Sequence, residues 1–169
     1  MNAVKAIPDG KLVEYVKNLC RVDEKYAMCF NIGYSTGLRI SDILSLRVKN
    51  VKKRIKVREM KTKKVKNVKL HKVLRKTIKE YVKDKKLKNN HALIPSNERE
   101  KCKPISRVQV HNIFRRTGLK MGLELISTHS MRKTYAEKIY AETGQISAVK
   151  KALNHEREKT TLRYLSPKE

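Results

Sequence analysis

Two stretches of the sequence place an arginine three residues from another ionisable side chain. In STGLRISDILSLRV, which spans residues 35–48, Arg39 and Asp42 would share one face of a helix. A buried arginine needs a partner to offset its desolvation, and Asp42 can supply one. In THSMRKTY, His129 and Arg132 have the same spacing, which sets a proton carrier beside a permanent cation. Each pair also has a simpler interpretation, as an ion pair at a helix start or as exposed polar residues.

A third stretch brings a phenol close to an imidazole. In LNHEREKTTLRYL, Tyr164 follows His155 by nine residues, across a charged turn. Alone, any of the seven tyrosines of the chain is most simply a half-buried packing residue. Beside the two arginine pairs, however, Tyr164 adds a hydroxyl nucleophile to a set of cations and proton carriers.

The motifs of other routes to phosphoryl transfer are missing from the sequence. There is no GxxxxGK[ST] loop, which argues against nucleotide hydrolysis, and there are no acidic pairs suited to a two-metal nuclease. The five histidines do not form a metal-ligand spacing with cysteines or carboxylates. We therefore expect no metal and no cofactor, so that any cleavage of a phosphodiester would use cations and a side-chain nucleophile.

The charge of the chain is extreme and unevenly distributed. There are 42 Lys plus Arg against 16 Asp plus Glu, a net charge of +26. Twenty of these basic residues lie between Arg47 and Lys88, among only three acidic ones. Such a field attracts polyanions, above all nucleic acid, with an acidic membrane surface as the second candidate. No long apolar run or signal peptide is present, and three scattered cysteines are typical of a reducing cytoplasm.

The elements that would position these side chains are mostly helical. We predict one domain over residues 1–169, in which Ser35 or Thr36, Ser106 and Thr128 cap helices. Seven helices are predicted. The third begins near residue 35, and the other six cover approximately residues 10–20, 22–33, 71–84, 106–122, 128–144 and 145–153.

A small sheet is expected between the third and fourth of these helices. RIKVREM at 54–60 alternates Ile55, Val57 and Glu59, and VKNVKL at 65–70 is also typical of a strand. The polar stretch KTKK separates the two, and a third short strand is expected near 48–51. The predicted fold class is α+β, predominantly helical, with a small three-stranded antiparallel sheet.

The ordered set of these residues resembles the catalytic set of the tyrosine recombinase (phage integrase) family. The stretch TGLRISDILSLRV is similar to the first arginine box of that family, HSMRKTYA to its H-x-x-R box, and LNH with a tyrosine nine residues later to its final segment. Lys61 matches the lysine of the family's β-hairpin, although Lys63 and Lys64 leave that single assignment open. The resemblance runs from about residue 10 to residue 165, and implies the catalytic-domain fold of DNA breaking and rejoining enzymes.

The resemblance also implies a role for each residue of the set. The Tyr164 hydroxyl would attack a DNA phosphodiester and form a 3′-phosphotyrosine, without metal or ATP. Guanidinium groups of Arg39 and Arg132 would bind the non-bridging oxygens, and Asp42 would support Arg39. Lys61 would act as the general acid, His129 as a proton shuttle and His155 as a hydrogen-bond donor to the phosphate. Backbone contacts are expected from Lys63, Lys64 and Lys66.

The implied partners are double-stranded DNA and further copies of the chain, with no membrane. Family members act as tetramers in synapsis, whereas this chain is expected to be monomeric when free, because only five residues follow Tyr164. The N-terminal core-binding domain of the family is expected to be absent. The resemblance implies a cytoplasmic protein of a bacterium, phage or mobile element. A non-catalytic basic DNA-binding protein and a type IB topoisomerase-like relaxing enzyme remain the alternatives.

Overall fold

A computed structural model describes residues 4–165 of the chain. Over this range it contains eight α-helices, one short 3₁₀ helix and a two-stranded antiparallel sheet. In chain order the elements are α1 (Asp9–Val22), α2 (Glu24–Thr36), α3 (Ile40–Leu44), the 3₁₀ helix Val48–Asn50, β1 (Arg54–Arg58), β2 (Val65–Lys69), α4 (Lys72–Asp84), α5 (Arg107–Lys120), α6 (Ser130–Thr143), α7 (Ile146–Leu153) and α8 (Glu158–Leu162). The predominantly helical α+β class is confirmed.

Aromatic side chains join the first two helices to α5 in the main core. The rings of Tyr15 and Phe30 lie 5.2 Å apart, and those of Phe30 and Phe114 lie 5.8 Å apart, both in edge-to-face geometry. The Tyr15 hydroxyl donates to the carbonyl of Phe114 at 3.0 Å, so that the buried phenol has a partner. This core fixes α2, whose C-terminal end borders the candidate site.

The sheet has two strands rather than three. Strands β1 and β2 pair in register from Arg54 opposite Lys69 to Arg58 opposite Val65. The predicted third strand is wrong, because residues 48–50 form the 3₁₀ helix instead. The Asn50 side chain accepts a hydrogen bond from the Arg47 N–H at 2.7 Å. This local bond stabilises a turn, which replaces the hydrogen bonds that a third strand would make with its neighbour.

A reversal after α2 separates it from α3 and places Arg39. Gly37 has φ +62° and ends α2, whereas Arg39 is extended and precedes the first residue of α3. The predicted cap at Ser35 or Thr36 is wrong, since Thr36 is the last residue of α2. The left-handed conformation that glycine adopts readily allows this reversal.

Helices α6 and α7 and the residues that follow α8 form a second, smaller hydrophobic cluster. Val149 and Leu153 of α7 pack with Ala136 of α6, and Tyr164 and Leu165 pack against this group. The predicted helix α7 is confirmed, whereas α8 occupies much of the segment that we expected to be a charged turn. No helix in the described part of the chain is long and apolar enough to cross a membrane.

Candidate active site

A cavity of about 790 Å³ brings together residues from six separate segments. It is lined by Val4, the start of α3, the turn of the β-hairpin, α5, the start of α6 and the segment from the end of α7 to Tyr164. Five of the six predicted catalytic residues line it, namely Arg39, Lys61, His129, His155 and Tyr164. The sixth, Arg132, lies buried against two of these residues.

Arg39 is held by a carboxylate of the hairpin. Its Nη1 lies 2.8 Å from Oε1 of Glu59, a side chain with no exposed area, while the Arg39 side chain is 13% exposed. Oε2 of Glu59 accepts hydrogen bonds from Thr62 Oγ1 at 2.6 Å and from Asn154 Nδ2 at 3.1 Å. Glu59 therefore connects Arg39, the hairpin turn and the end of α7.

The environment of Glu59 keeps this carboxylate charged. Burial acts to raise its pKa, but the hydrogen bond from Thr62, the charge of Arg39 and the hydrogen bond from Asn154 outweigh it. The net result is a pKa below the usual value for glutamate.

Asp42 supports the hairpin rather than the Arg39 side chain. Its Oδ1 accepts the Met60 N–H at 2.9 Å, and its buried Oδ2 has no hydrogen-bond partner among the described residues. Within residues 4–165 no ion pair joins Arg39 to Asp42, because the backbone of Arg39 is extended rather than helical. The direct support that we predicted from Asp42 is thus supplied by Glu59.

Arg132 lies beneath the cavity floor with most of its donors committed. The side chain is 1% exposed; Nη1 donates to the Gly37 carbonyl, and Nη2 donates to the Leu153 carbonyl at 2.7 Å. Nε has no partner among the described residues. The guanidinium carbon lies 5.6 Å from the centroid of the Tyr164 ring, which therefore covers it.

His155 lies between Arg132 and α8. Its Nε2 is 3.1 Å from Arg132 Nη2, and its Nδ1 is 3.1 Å from Thr161 Oγ1. Burial, followed by the charge of Arg132, lowers the pKa of His155 to about 4. Because arginine can only donate, Nε2 is the acceptor and the neutral ring carries its proton on Nδ1. We predicted that His155 donates a hydrogen bond to the phosphate. With both ring nitrogens occupied, it can do so only if the ring moves.

The start of α6 sets the position of His129. His129 rather than Thr128 is the N-cap residue, so the predicted cap is wrong. The His129 N–H donates to Ser127 Oγ at 3.1 Å, which fixes the peptide at this point. Partial burial and then the charge of Arg132 lower the pKa of His129 below its usual value. The imidazole is therefore biased toward its neutral form, which can accept a proton.

The lysines of the hairpin differ in exposure. Lys61 and Lys63 are exposed in the turn, and Lys64 Nζ lies 2.8 Å from Glu156 Oε1 at the surface. Lys66 is buried, and its Nζ donates to the carbonyl of Thr36 at 2.8 Å. The predicted DNA contact of Lys66 is wrong, because this side chain is directed into the fold.

Sequence similarity identifies the family of the chain. The model of the phage integrase family matches residues 10–169. The chain belongs to the phage integrase family. Probable integrase/recombinase YoeC of Bacillus subtilis (strain 168) is 36% identical over 168 residues, which cover 98% of this chain and 91% of YoeC.

Solved structures of recombinases have the same fold. The crystal structure of XerA recombinase matches with a TM-score of 0.79 at 18% identity, over 98% of this chain and 61% of that one. The XerH site-specific recombinase bound to its difH substrate matches with a TM-score of 0.77 at 17% identity, over all of this chain and 52% of that one. The described fold is thus that of a tyrosine recombinase catalytic domain, and the chain spans roughly half to three fifths of these solved chains.

The site of this phage integrase family member contains residues that we did not predict. Glu59 was recognisable, because it directly follows β1 and continues the alternation of the buried Ile55 and Val57, and a buried acid needs a cation. Arg107 and His111 of α5 also line the cavity. Their spacing of four residues places them on one face, but nothing in the sequence links that face to the distant boxes.

Proposed function

We propose that the chain cleaves and rejoins double-stranded DNA through a covalent bond between Tyr164 and the 3′-phosphate at the cut. The observation that carries this proposal is the shared cavity, in which five of the six predicted catalytic residues, drawn from distant segments, meet. The family membership and the recombinase relatives support the same assignment. We propose that the described residues act as a single catalytic domain, working on DNA in the cytoplasm.

The proposed cleavage step exchanges one phosphodiester for another. The Tyr164 oxygen attacks phosphorus, and its proton passes to His129, which lines the cavity and whose lowered pKa favours the neutral imidazole. The bond from phosphorus to the 5′-oxygen breaks, and Lys61 donates a proton to that oxygen. Rejoining is the reverse, so that neither ATP nor a metal is needed to balance the reaction.

In the proposed transition state, the arginines stabilise charge on the non-bridging phosphate oxygens. Arg39 has donors beyond the one that binds Glu59, and Arg132 has an uncommitted Nε–H. A phosphate can reach Arg132 only after the Tyr164 ring has moved off its guanidinium group. His155 serves by accepting from Arg132, which fixes the plane of that group.

We propose that the chain acts on DNA together with further copies of itself, as four protomers in synapsis, and is monomeric when free. The high positive charge favours DNA as the partner, and the DNA complexes of solved relatives support it. Lys63 and Lys64 lie in the hairpin beside the cavity and are proposed to bind the DNA backbone.

The test is covalent capture of DNA by the protein. A library of nicked duplexes with randomised sequence is incubated with the protein, and adducts that survive denaturant are isolated and sequenced. We expect the wild type to form an adduct and Tyr164→Phe to form none. Arg39→Ala should bind the recovered duplex but cleave it about 100- to 1,000-fold more slowly, the usual cost of removing one preorganised donor.

Three outcomes separate this function from its alternatives. Arg115→Ala, an exposed arginine of α5, is the matched control and should cleave normally. No adduct with any duplex would indicate a non-catalytic DNA-binding protein. An adduct accompanied by relaxation of supercoiled DNA, without strand exchange between two recovered duplexes, would indicate a topoisomerase-like enzyme.

A further inference from the structure

One lysine of the hairpin has its ammonium group inside the fold. Lys66 on β2 is 8% exposed, and its Nζ donates to the carbonyl of Thr36, the last residue of α2, at 2.8 Å. The same nitrogen lies 5.9 Å from the centroid of the Tyr135 ring of α6. A single charged group therefore joins β2 to the end of α2.

The C-terminal end of α2 is also the place where Arg132 is bound. The Arg132 Nη1 donates to the carbonyl of Gly37, the residue next to Thr36. Carbonyl groups at the end of a helix carry partial negative charge, and they favour cations in the last turn. The hairpin and the arginine of α6 are consequently held by adjacent carbonyls of one rigid helix end.

Packing alone does not account for a lysine at this position. Burial, followed by repulsion from Arg132, lowers the pKa of Lys66 to about 7. Arg39 adds to the repulsion, whereas Glu59 and Asp42 attract the ammonium group. A methionine would fill similar space without this cost, and buried charges can often be replaced by apolar groups with no loss of stability. The ammonium group of Lys66 therefore serves a purpose other than filling space in the core.

The two strands of the hairpin are anchored in different ways on either side of Lys61. The end of β1 is held by the hydrogen bond from the Met60 N–H to Asp42 and by the contacts of Glu59. The β2 side is held by Lys66. Lys61 lies in the turn between these anchors, exposed and lining the cavity. Loss of the Lys66 bond would loosen the seating of β2 on the end of α2, whereas the pairing of β1 with β2, the contacts of Glu59 and the surface ion pair of the turn would remain.

We propose that Lys66 is a positioning residue for Lys61: its bond to the end of α2 seats the hairpin so that the Lys61 ammonium group can protonate the leaving oxygen. This inference rests on the proposed function. It assigns to Lys66 a role in one step only, the departure of the 5′-oxygen.

The experiment compares two leaving groups on the duplex recovered by covalent capture. One substrate has the natural 5′-oxygen at the cut, and the other has a 5′-sulfur, which departs without a proton. Lys66→Met should cleave the oxygen substrate at least about tenfold more slowly, a part of the roughly 100-fold or more that a general acid contributes. It should cleave the sulfur substrate at nearly the wild-type rate, as should Lys61→Ala. Lys66→Arg should keep much of the activity on oxygen, because it keeps the charge.

A double mutant and a neighbouring lysine complete the design. If Lys66 acts through Lys61, the double variant Lys61→Ala/Lys66→Met should be no slower on oxygen than Lys61→Ala. Lys69→Met, which changes an exposed lysine of the same strand, should leave both rates within about twofold, since it removes no contact of the site. Thermal unfolding at pH 7 should show Lys66→Met to be folded and about as stable as the wild type.

Several results would overturn the role of Lys66. One is a wild-type rate for Lys66→Met on the oxygen substrate; another is an equal defect on both leaving groups. A Lys66→Met protein that does not fold would assign Lys66 to the stability of the fold instead. These results differ from failure of the proposed function, in which the wild type itself forms no adduct with either substrate.

Discussion

At the scale of single residues, Glu59 links three segments that are far apart in the sequence. It contacts Arg39 before α3, Thr62 in the hairpin turn and Asn154 at the end of α7. Each of these segments carries a residue that lines the cavity. Removing the charge of Glu59 leaves the Arg39 guanidinium group without its buried partner, which is usually more costly than losing a surface pair.

The lowered pKa of Glu59 makes this contribution dependent on pH. A carboxyl group whose pKa is lower in the folded state adds stability above its unfolded pKa, about 4.3 for glutamate, and loses it as pH falls toward the folded value. We expect Glu59→Gln to lower the free energy of unfolding by about 2 kcal/mol or more at pH 7, and by less near pH 3.5.

Urea unfolding of both proteins at the two pH values measures this difference. Glu80→Gln is the matched control, because Glu80 is exposed and its ion pair with Lys76, at 3.9 Å, is a long surface contact. It should change the unfolding free energy by no more than about 0.5 kcal/mol at either pH. A constant effect of Glu59→Gln from pH 7 to 3.5 would contradict the lowered pKa.

At the scale of secondary structure elements, the end of α2 determines where two segments of the candidate site meet. Gly37 ends the helix in the left-handed conformation, exposes its carbonyl to Arg132 and turns the chain toward Arg39. A Cβ atom at Gly37 would lie 2.5 Å from the ring of Tyr135, so the reversal also depends on close packing against α6.

A pair of glycine substitutions separates these two effects. Gly37→Ala should lower the free energy of unfolding by about 1 kcal/mol for the left-handed conformation and by a further roughly 1–3 kcal/mol for overpacking. Gly144→Ala, which changes the glycine that ends α6, should show only the first cost, since a Cβ there has nothing within 4 Å. Equal effects of the two substitutions in denaturant unfolding would show that Tyr135 yields easily.

The elements were more predictable from the sequence than the contacts between them. Hydrophobic periodicity located seven of the eight helices in the described range and both strands, since packing of an apolar face produces that pattern. It failed where local hydrogen bonds compete with the pattern, as at Asn50, and it placed the break between α2 and α3 before Ser35 rather than at Gly37. The sequence boxes identified five residues of the cavity. They did not show that Glu59 would hold Arg39 or that Lys66 would be buried, because those contacts depend on the seating of the hairpin.

At the scale of the whole molecule, the net charge of +26 makes affinity for DNA dependent on salt. Each lysine bound to a phosphate releases counterions, so the logarithm of affinity falls linearly with the logarithm of salt concentration. Because Lys63 and Lys64 lie in the hairpin that borders the cavity, they should contribute to this slope.

We expect Lys63→Gln and Lys64→Gln each to reduce the slope by about one unit, with binding weakened equally on all sequences. Fluorescence anisotropy on a labelled duplex, titrated at several salt concentrations, provides the slopes. Lys17→Gln on α1 removes the same charge from another surface and is the matched control. Should all three variants give the same change, the hairpin would have no special share in DNA binding.

The position of the Tyr164 ring over Arg132 has a consequence for how the protein meets long DNA. The ring and a phosphate oxygen cannot occupy the same face of the guanidinium group at once. Under the proposed function, DNA backbone that enters the cavity would therefore meet a guanidinium group covered by the Tyr164 ring. We expect only DNA that stays bound while the ring moves aside to be cleaved.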